Sequence, residues 1–79
     1  MEEIYTTLAN IAHNVLGTDP ERIGPDTLIM EELGADSLDI VEMLAMIEDI
    51  YGIYIPDEII TGMRRVSDAA EYICINLKK

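Results

Sequence analysis

A helical pattern of apolar residues from Ser37 to about Tyr51 constrains the fold of this chain more than any other feature. Plotted at about 3.6 residues per turn, one side of this segment collects the large apolar side chains. These are Ile40, Met43, Leu44, Ile47, Ile50 and Tyr51. Because a helix with one apolar side must bury it against other elements, we expect this second helix of the chain to pack into a helical bundle.

The opposite side of the same helix combines acids with apolar side chains, and we call it the acidic face. Its members are Leu38, Asp39 at the margin, Val41, Glu42, Ala45, Glu48 and Asp49. One interpretation is a solvated surface with a few tolerated apolar residues, which soluble proteins normally have. The other is a docking surface, where the acids attract a basic partner and the apolar side chains make short-range contact. The residue pattern leaves both interpretations open.

The start of this helix also has two interpretations. Asp36 is a candidate N-cap, and Asp39, three residues later, would complete an acidic variant of the capping box. On the first interpretation Ser37 simply belongs to that helix start. On the second, its hydroxyl is placed to carry a phosphate ester, because free N–H groups and the helix dipole favour an anion there.

The sequence predicts a first helix over residues 2–16 and a long loop after it. Apolar residues at helical spacing form the core stripe of that helix, and Gly17 is placed to end it. The stripe consists of Ile4, Leu8, Ile11, Ala12 and Val15. Residues 18–36 contain Asp-Pro and Gly-Pro pairs, which are typical of a loop broken by turns. We expect the loop to be anchored in the core by Ile23, Leu28, Met30 and Leu33, with a turn of helix over residues 27–32.

Two further helices are predicted after Gly52. Pro56 is suited to the first position of a short helix that reaches about Gly62. A fourth helix is expected from Ser67 or Asp68 to Leu77, with Lys78 and Lys79 complementing its dipole. Its predicted apolar stripe consists of Ala69, Ala70, Ile73, Cys74 and Leu77.

Composition restricts the class of protein. Seventy-nine residues, 49% of them hydrophobic, suffice for one small domain spanning residues 1–79. The net charge of −11 argues against binding to nucleic acids or anionic membranes and favours basic partners. The longest apolar run, Met43 to Ile47, is too short to cross a bilayer, and Glu2 and Glu3 replace a basic targeting segment. We therefore expect a soluble cytoplasmic protein.

No motif indicates an enzyme or a defined metal site. Cys74 has no partner for an internal disulfide and is expected to be buried, and His13 is the only histidine, without a carboxylate at helical spacing to orient it as a base. Gly-rich phosphate loops, Gly-x-Ser-x-Gly and EF-hand spacing do not occur in the sequence. Loose divalent binding by Asp36 and Asp39, or by Glu48 and Asp49, is expected from charge density alone.

The segment from Gly34 through Glu58, which contains Asp36-Ser37-Leu38, closely resembles the core of the acyl carrier proteins. Weaker likeness reaches back over the first helix and forward through Val66 to Ile73. The resemblance implies an all-α bundle of three long helices and one short helix with a long first loop. It also implies that Ser37 carries 4′-phosphopantetheine, attached by a separate phosphopantetheinyl transferase, and that the chain is not itself an enzyme.

The resemblance further implies the cargo and the partners. The cargo would be acyl groups held as thioesters, and the partners would be acyl-chain synthases and transferases with basic docking patches. The expected contact residues are Asp36, the whole acidic face and Ile60. A monomer is expected, with a core softened by Met43, and by Met30, Met46 and Met63, that opens between helices two, three and four to shelter an acyl chain.

Two positions depart from the pattern of this family. Ile59-Ile60 stands where many carriers are charged, which favours a carrier with a dedicated partner over one serving general fatty-acid synthesis. Arg64-Arg65 stands where a capping threonine is common, so we expect the last helix to begin later than in relatives. Two alternatives to an acyl carrier are a peptidyl or aminoacyl carrier of the D-alanyl type and an acidic helical adaptor without a prosthetic group.

Overall fold

The computed structural model describes residues 2–77, and four helices account for most of them. These are α1 (Glu2–Leu16), α2 (Ser37–Tyr51), α3 (Asp57–Ile60) and α4 (Val66–Leu77). Within this part of the chain extended backbone pairs only at one isolated bridge, between Leu28 and Arg65. The predicted all-α bundle with three long helices, one short helix and a long first loop is confirmed.

Helix α1 has the predicted bounds and packs against both α2 and α4. Gly17 adopts a left-handed φ of 74°, and its N–H donates to the His13 carbonyl at 2.8 Å, which ends the helix. The exposed His13 ring binds the Thr18 carbonyl through Nδ1 at 2.9 Å. This histidine therefore helps to close the end of α1.

The first loop is anchored in the core by a slightly different set of residues from the predicted one. Ile23 and Leu33 pack against the core as expected, but Leu28, although partly buried, is not among the residues that do so. Met30 is 49% exposed, so its predicted burial is wrong. Consecutive turns over residues 29–33 direct Ile29 toward the core in place of Met30. The loop also contains a short 3₁₀ helix, Pro20–Arg22, which was not predicted and is capped by the Asp19 carboxylate.

Helix α2 has the predicted bounds and ends at Gly52, whose φ is 65°. Met43, Leu44 and Ile47 are buried, but Ile50 is 53% exposed, which corrects its assignment to the core. Ile50 lies at the edge of the apolar stripe, whereas Tyr51, nearer the middle of the stripe, still packs against the core.

Helix α3 is shorter than predicted. Pro56 has an extended ψ of 156° and occupies the N-cap position, so the helix begins at Asp57 and ends at Ile60. Ile59 and Ile60 are both partly buried.

Helix α4 begins at Val66, earlier than predicted, and its third residue, Asp68, binds the backbone just before the helix. One oxygen of its carboxylate, Oδ2, accepts the backbone N–H groups of Arg64 and Arg65, each at 3.0 Å. These two bonds, from Arg65 first and then Arg64, lower the pKa of Asp68 below its ordinary value, and the nearby guanidinium charges lower it further.

The apolar stripe of α4 is centred on Ala70 and Ile73, which are fully buried. Cys74 is only partly buried and Leu77, the last helical residue, is 49% exposed, so both predictions of burial were too strong. The predicted roles of Lys78 and Lys79 lie outside the described residues.

None of the helices within residues 2–77 has the length and apolar composition needed to cross a membrane.

Candidate functional site

The serine end of α2 is built by a complete capping box. Asp36 has an extended conformation, and its Oδ1 accepts the backbone N–H of Asp39 at 2.9 Å. In return, Asp39 Oδ2 accepts the backbone N–H of Asp36 at 3.2 Å. The prediction that Asp36 caps the helix with Asp39 as its partner is confirmed.

This cap leaves the hydroxyl of Ser37 free. Ser37 is the first helical residue and its side chain is exposed. No hydrogen bond to that hydroxyl is found within residues 2–77, because Asp36 already supplies the capping oxygen. The two interpretations of the helix start are therefore compatible: one residue caps the helix, and the next presents an unengaged hydroxyl to solvent.

The chain just before Ser37 is fixed to the core. Gly34 has a left-handed φ of 73°, and its N–H donates to the Met30 carbonyl at 3.1 Å. Ala35 then buries its methyl group to 4% exposure, a core contact that the sequence pattern did not predict. This buried alanine holds the backbone beneath the exposed serine.

The apolar members of the acidic face are open to solvent next to Ser37. Leu38 is 79% exposed and Val41 63%, and Ala45 is also exposed. These three residues are three and four positions apart in sequence, so they lie on one side of α2 together with the acids. The structure thus leaves a contiguous apolar strip beside the serine hydroxyl.

The acids of this face differ in whether their side chains accept hydrogen bonds from the backbone. Asp39 is held in the capping box, and the partly buried Glu48 accepts the backbone N–H of Ile55 at 2.8 Å. Glu42 and Asp49 are exposed, and no hydrogen bonds to their side chains are found in the described part of the chain. The two of them are therefore the acids free to meet an approaching positive charge, whereas Glu48 also holds the link after α2.

An apolar cavity of about 60 Å³ lies in the core behind this face. It is lined by Ile40, Met43 and Ile47 from α2, by Ile29 and Leu33 from the first loop, and by Ile60 and Met63 around α3, among others. A cavity of about 150 Å³ accommodates benzene, so this one is too small for an acyl chain unless the surrounding elements move apart. Ile60, predicted as a partner contact, thus also faces the interior.

The serine end has the features that a phosphodiester requires. The hydroxyl is exposed, and the N–H groups of Ser37 and Leu38 find no acceptor within residues 2–77, as expected for the first turn of a helix. These donors and the helix dipole favour an anion there, opposing the repulsion from Asp36 and Asp39. The residues present therefore fit a phosphate ester on Ser37.

Comparison with known proteins gives the same indication. Residues 6–73 match a family model described as the phosphopantetheine attachment site. A meromycolate extension acyl carrier protein of Mycolicibacterium smegmatis is 42% identical over 72 residues, which cover 91% of this chain and 73% of that protein. The corresponding protein of Mycobacterium tuberculosis is also 42% identical over 72 residues, and this chain spans 63% of its length.

Other relatives carry a more general name. An acyl carrier protein of Rhodococcus erythropolis is 39% identical over 72 residues, covering 91% of this chain and 79% of that protein. Among solved structures, an acyl carrier protein from Enterococcus faecalis superposes with a TM-score of 0.77 at 29% identity, over 91% of both chains.

Proposed function

The chain belongs to the phosphopantetheine attachment site family and is an acyl carrier protein, and from this premise we propose that Ser37 is the residue that carries its 4′-phosphopantetheine. The observation that carries the proposal is the division of roles at the start of α2. Asp36 caps the helix, and Ser37 keeps an exposed hydroxyl with no internal partner among the described residues.

When bound, the phosphopantetheine supplies a terminal thiol that holds an acyl group as a thioester. The residues around Ser37 have three tasks toward it. The reciprocal bonds of Asp36 and Asp39 fix the first turn of α2 and therefore the direction in which the Ser37 side chain projects from it. The free N–H groups of the first turn stabilise the phosphate charge. The buried Ala35 keeps the serine at the surface, within reach of a transferase.

The acidic face is the proposed docking surface for partner enzymes. Glu42 and Asp49 would attract basic patches at long range, which speeds association and makes it dependent on salt. Leu38, Val41 and Ala45 would then make the short-range apolar contact. The carrier must dissociate from each enzyme once the reaction on its cargo is complete. A small interface of this kind gives the fast, weak binding that such repeated transfer needs.

The apolar cavity is the proposed beginning of a shelter for the cargo. Met43 and Met63 line it, and their unbranched side chains adapt to a changed shape at low cost. An acyl chain inserted there would remove its own apolar surface from water.

For Ile59 and Ile60 we propose a more specific role, the contact with a dedicated partner enzyme. The relatives include proteins named for meromycolate extension and proteins named only as acyl carriers, so the pathway of this chain is argued from its own residues. Two partly buried isoleucines on a helix of only four residues favour an apolar contact beside α2. The test compares the affinity of Ile60→Asp and Ile59→Asp for the cognate synthase, with the two variants equally stable. Weaker binding of Ile60→Asp than of Ile59→Asp supports this role for Ile60. Equal affinity of Ile60→Asp and wild type contradicts it.

Action as a carrier in the cytoplasm, without a catalytic site of its own, completes the proposal. The His13 ring is engaged with the Thr18 carbonyl at the far end of α1, and Ser37 has no base hydrogen-bonded to it within residues 2–77. A catalytic serine is ordinarily activated by an adjacent base. We therefore assign Ser37 as a tether that other enzymes modify.

Intact mass spectrometry tests the attachment site. After incubation with a phosphopantetheinyl transferase and coenzyme A, the wild type should gain the mass of one phosphopantetheine, and Ser37→Ala should gain none. The matched control is Ser67→Ala, because the chain contains one other serine, and it should gain the same mass as the wild type. No gain on the wild type would favour an acidic adaptor instead. Peptidyl and acyl carriers both gain the group and differ in the cargo that is then loaded.

A further inference from the structure

A set of hydrogen bonds joins the first loop to the segment that leads into α4, and we call it the loop clip. Its backbone bonds run from the N–H of Ile29 to the Arg64 carbonyl at 2.9 Å, from Val66 to Thr27 at 3.0 Å, and from Ser67 to Pro25 at 2.9 Å. The Arg65 guanidinium adds a side-chain bond from Nη1 to the Asp26 carbonyl at 2.8 Å. These bonds connect segments about half a chain apart.

Arg65 lies at the centre of this clip. It forms the isolated bridge with Leu28, and its side chain reaches a carbonyl 39 residues away in sequence. Its own N–H and that of Arg64 are held by Asp68, which keeps this segment extended. The neighbouring Arg64 has the same charge and exposure, but no hydrogen bond from its side chain is found within residues 2–77.

The clip borders the apolar cavity. Ile29 and Leu33 line the cavity from the first loop, and Val66 lines it from the other side of the clip. The backbone bonds of Ile29 and Val66 therefore tie together two parts of the same cavity wall. Backbone segments joined in this way cannot separate without losing several hydrogen bonds at once.

Helix α3 forms a different kind of wall. It has four residues and no side-chain cap, and the backbone bonds of residues 59–63 all remain within residues 56–63. Ile60 reaches the cavity from this helix, so apolar packing is what holds α3 in place. One wall of the cavity is thus fastened by hydrogen bonds, whereas no hydrogen bond from residues 59–63 to another element is found in the described part of the chain.

We propose that Arg65 is a positioning residue that holds the first-loop wall of the cavity closed, so that cargo is accommodated by movement of α3 and the clip limits the length of acyl chain that the core can shelter. This inference rests on the proposed carrier function. Loss of the guanidinium contact would loosen the clip and let the first loop move outward as a second opening.

Hydrogen exchange of the unmodified protein tests the clip without any cargo. In Arg65→Ala, the amides of Ile29, Val66 and Ser67 should exchange at least about tenfold faster, since a bond from a charged donor has been lost. The fully buried Ile73 amide serves as the reference for global unfolding and should change much less. Arg64→Ala, the matched control, should leave all of these rates unchanged.

A second measurement tests the effect on cargo. Holo protein is loaded with acyl groups from butyryl to palmitoyl, and the rate of thioester cleavage by hydroxylamine is measured for each length. Arg65→Ala should move the best-protected length toward longer chains, and Arg64→Ala should not. If the wild type cannot be loaded at all, the carrier function fails, and the exchange rates alone decide whether Arg65 holds the loop.

Three results overturn the proposal. One is unchanged exchange at Ile29 and Val66 in Arg65→Ala. Another is an equal increase at Ile73, which would mean that the whole domain opens. The last is an unchanged dependence of protection on chain length in a variant whose clip has demonstrably loosened.

Discussion

Asp36 and Asp39 bind each other's backbone N–H groups through their carboxylates, at 2.9 and 3.2 Å, and Ser37 lies between them with its hydroxyl unengaged. The arrangement satisfies the helix start without using the serine. It also places two negative charges beside the site where the phosphate is proposed to be attached, so the first-turn N–H groups and the helix dipole must offset that repulsion. The first turn of α2 is therefore stabilised by its cap, and the Ser37 hydroxyl remains available for modification.

Removal of the cap should destabilise the apo protein. Asp36→Ala is expected to lower the free energy of unfolding by about 1 kcal/mol, the usual cost of losing an N-cap oxygen, whereas Asp36→Asn should retain most of it because the amide oxygen can still accept the Asp39 N–H. Urea denaturation measures both. Equal midpoints for wild type and Asp36→Ala would show that the capping box does not stabilise α2.

Charge removal on the acidic face should slow docking. Glu42→Gln combined with Asp49→Asn should reduce the association rate with a basic partner such as the transferase at low salt, and the difference from the wild type should shrink as salt is added. Stopped-flow kinetics measures this. The matched control, Glu2→Gln with Glu3→Gln, removes two exposed acids from α1 and should have a much smaller effect. Equal effects of the two double variants would indicate attraction by net charge alone.

The stability that Asp68 contributes at the start of α4 should depend on pH. Because hydrogen bonds lower the pKa of Asp68 in the folded state, its carboxylate stabilises the protein above the unfolded pKa, and that contribution is lost as the pH falls through the folded value. The stability difference between wild type and Asp68→Ala should therefore be full at neutral pH. It should fade once the pH falls below the ordinary aspartate pKa of about 3.9.

Urea denaturation at a series of pH values checks this expectation. The control is Glu71→Ala, an exposed acid on the same helix for which no side-chain hydrogen bond is found within residues 2–77. It should show little difference from the wild type at any pH. A difference for Asp68→Ala that persists unchanged in acid would mean that packing, and not the charge, is responsible.

Screening of the net charge should stabilise the whole domain. The chain has a net charge of −11 on 79 residues, and the resulting self-repulsion opposes the compact state. Added salt or millimolar Mg²⁺ is therefore expected to raise the melting temperature. Calorimetry measures the change. A melting temperature that does not respond to either addition would contradict the view that repulsion limits stability here.

Local sequence signals predicted the parts of the fold that depend on local physics. The bounds of α1 and α2 follow from a stripe of apolar residues and a stop glycine, and the capping box follows from two aspartates three residues apart. The proposal that Ser37 is the attachment residue rests on its place beside that box and on the resemblance. Nothing distant in the sequence is needed to form these features.

Contacts between distant segments account for the errors. The early start of α4 coincides with the loop clip, which pairs residues 25–29 with 64–67. The exposure of Met30 and Ile50, and the burial of Ala35, depend on which parts of each segment the other elements cover. A periodic pattern shows which side of a helix is apolar, but it does not show where along the helix that coverage ends.

The most direct test of the central claim is mass spectrometry of peptides from the protein isolated from its native cell. The account predicts that the peptide containing Ser37 carries phosphopantetheine, with an acyl group on its thiol in the loaded fraction, and that the peptide containing Ser67 is unmodified. A Ser37 peptide without the group, from cells in which other carriers are fully modified, would contradict it.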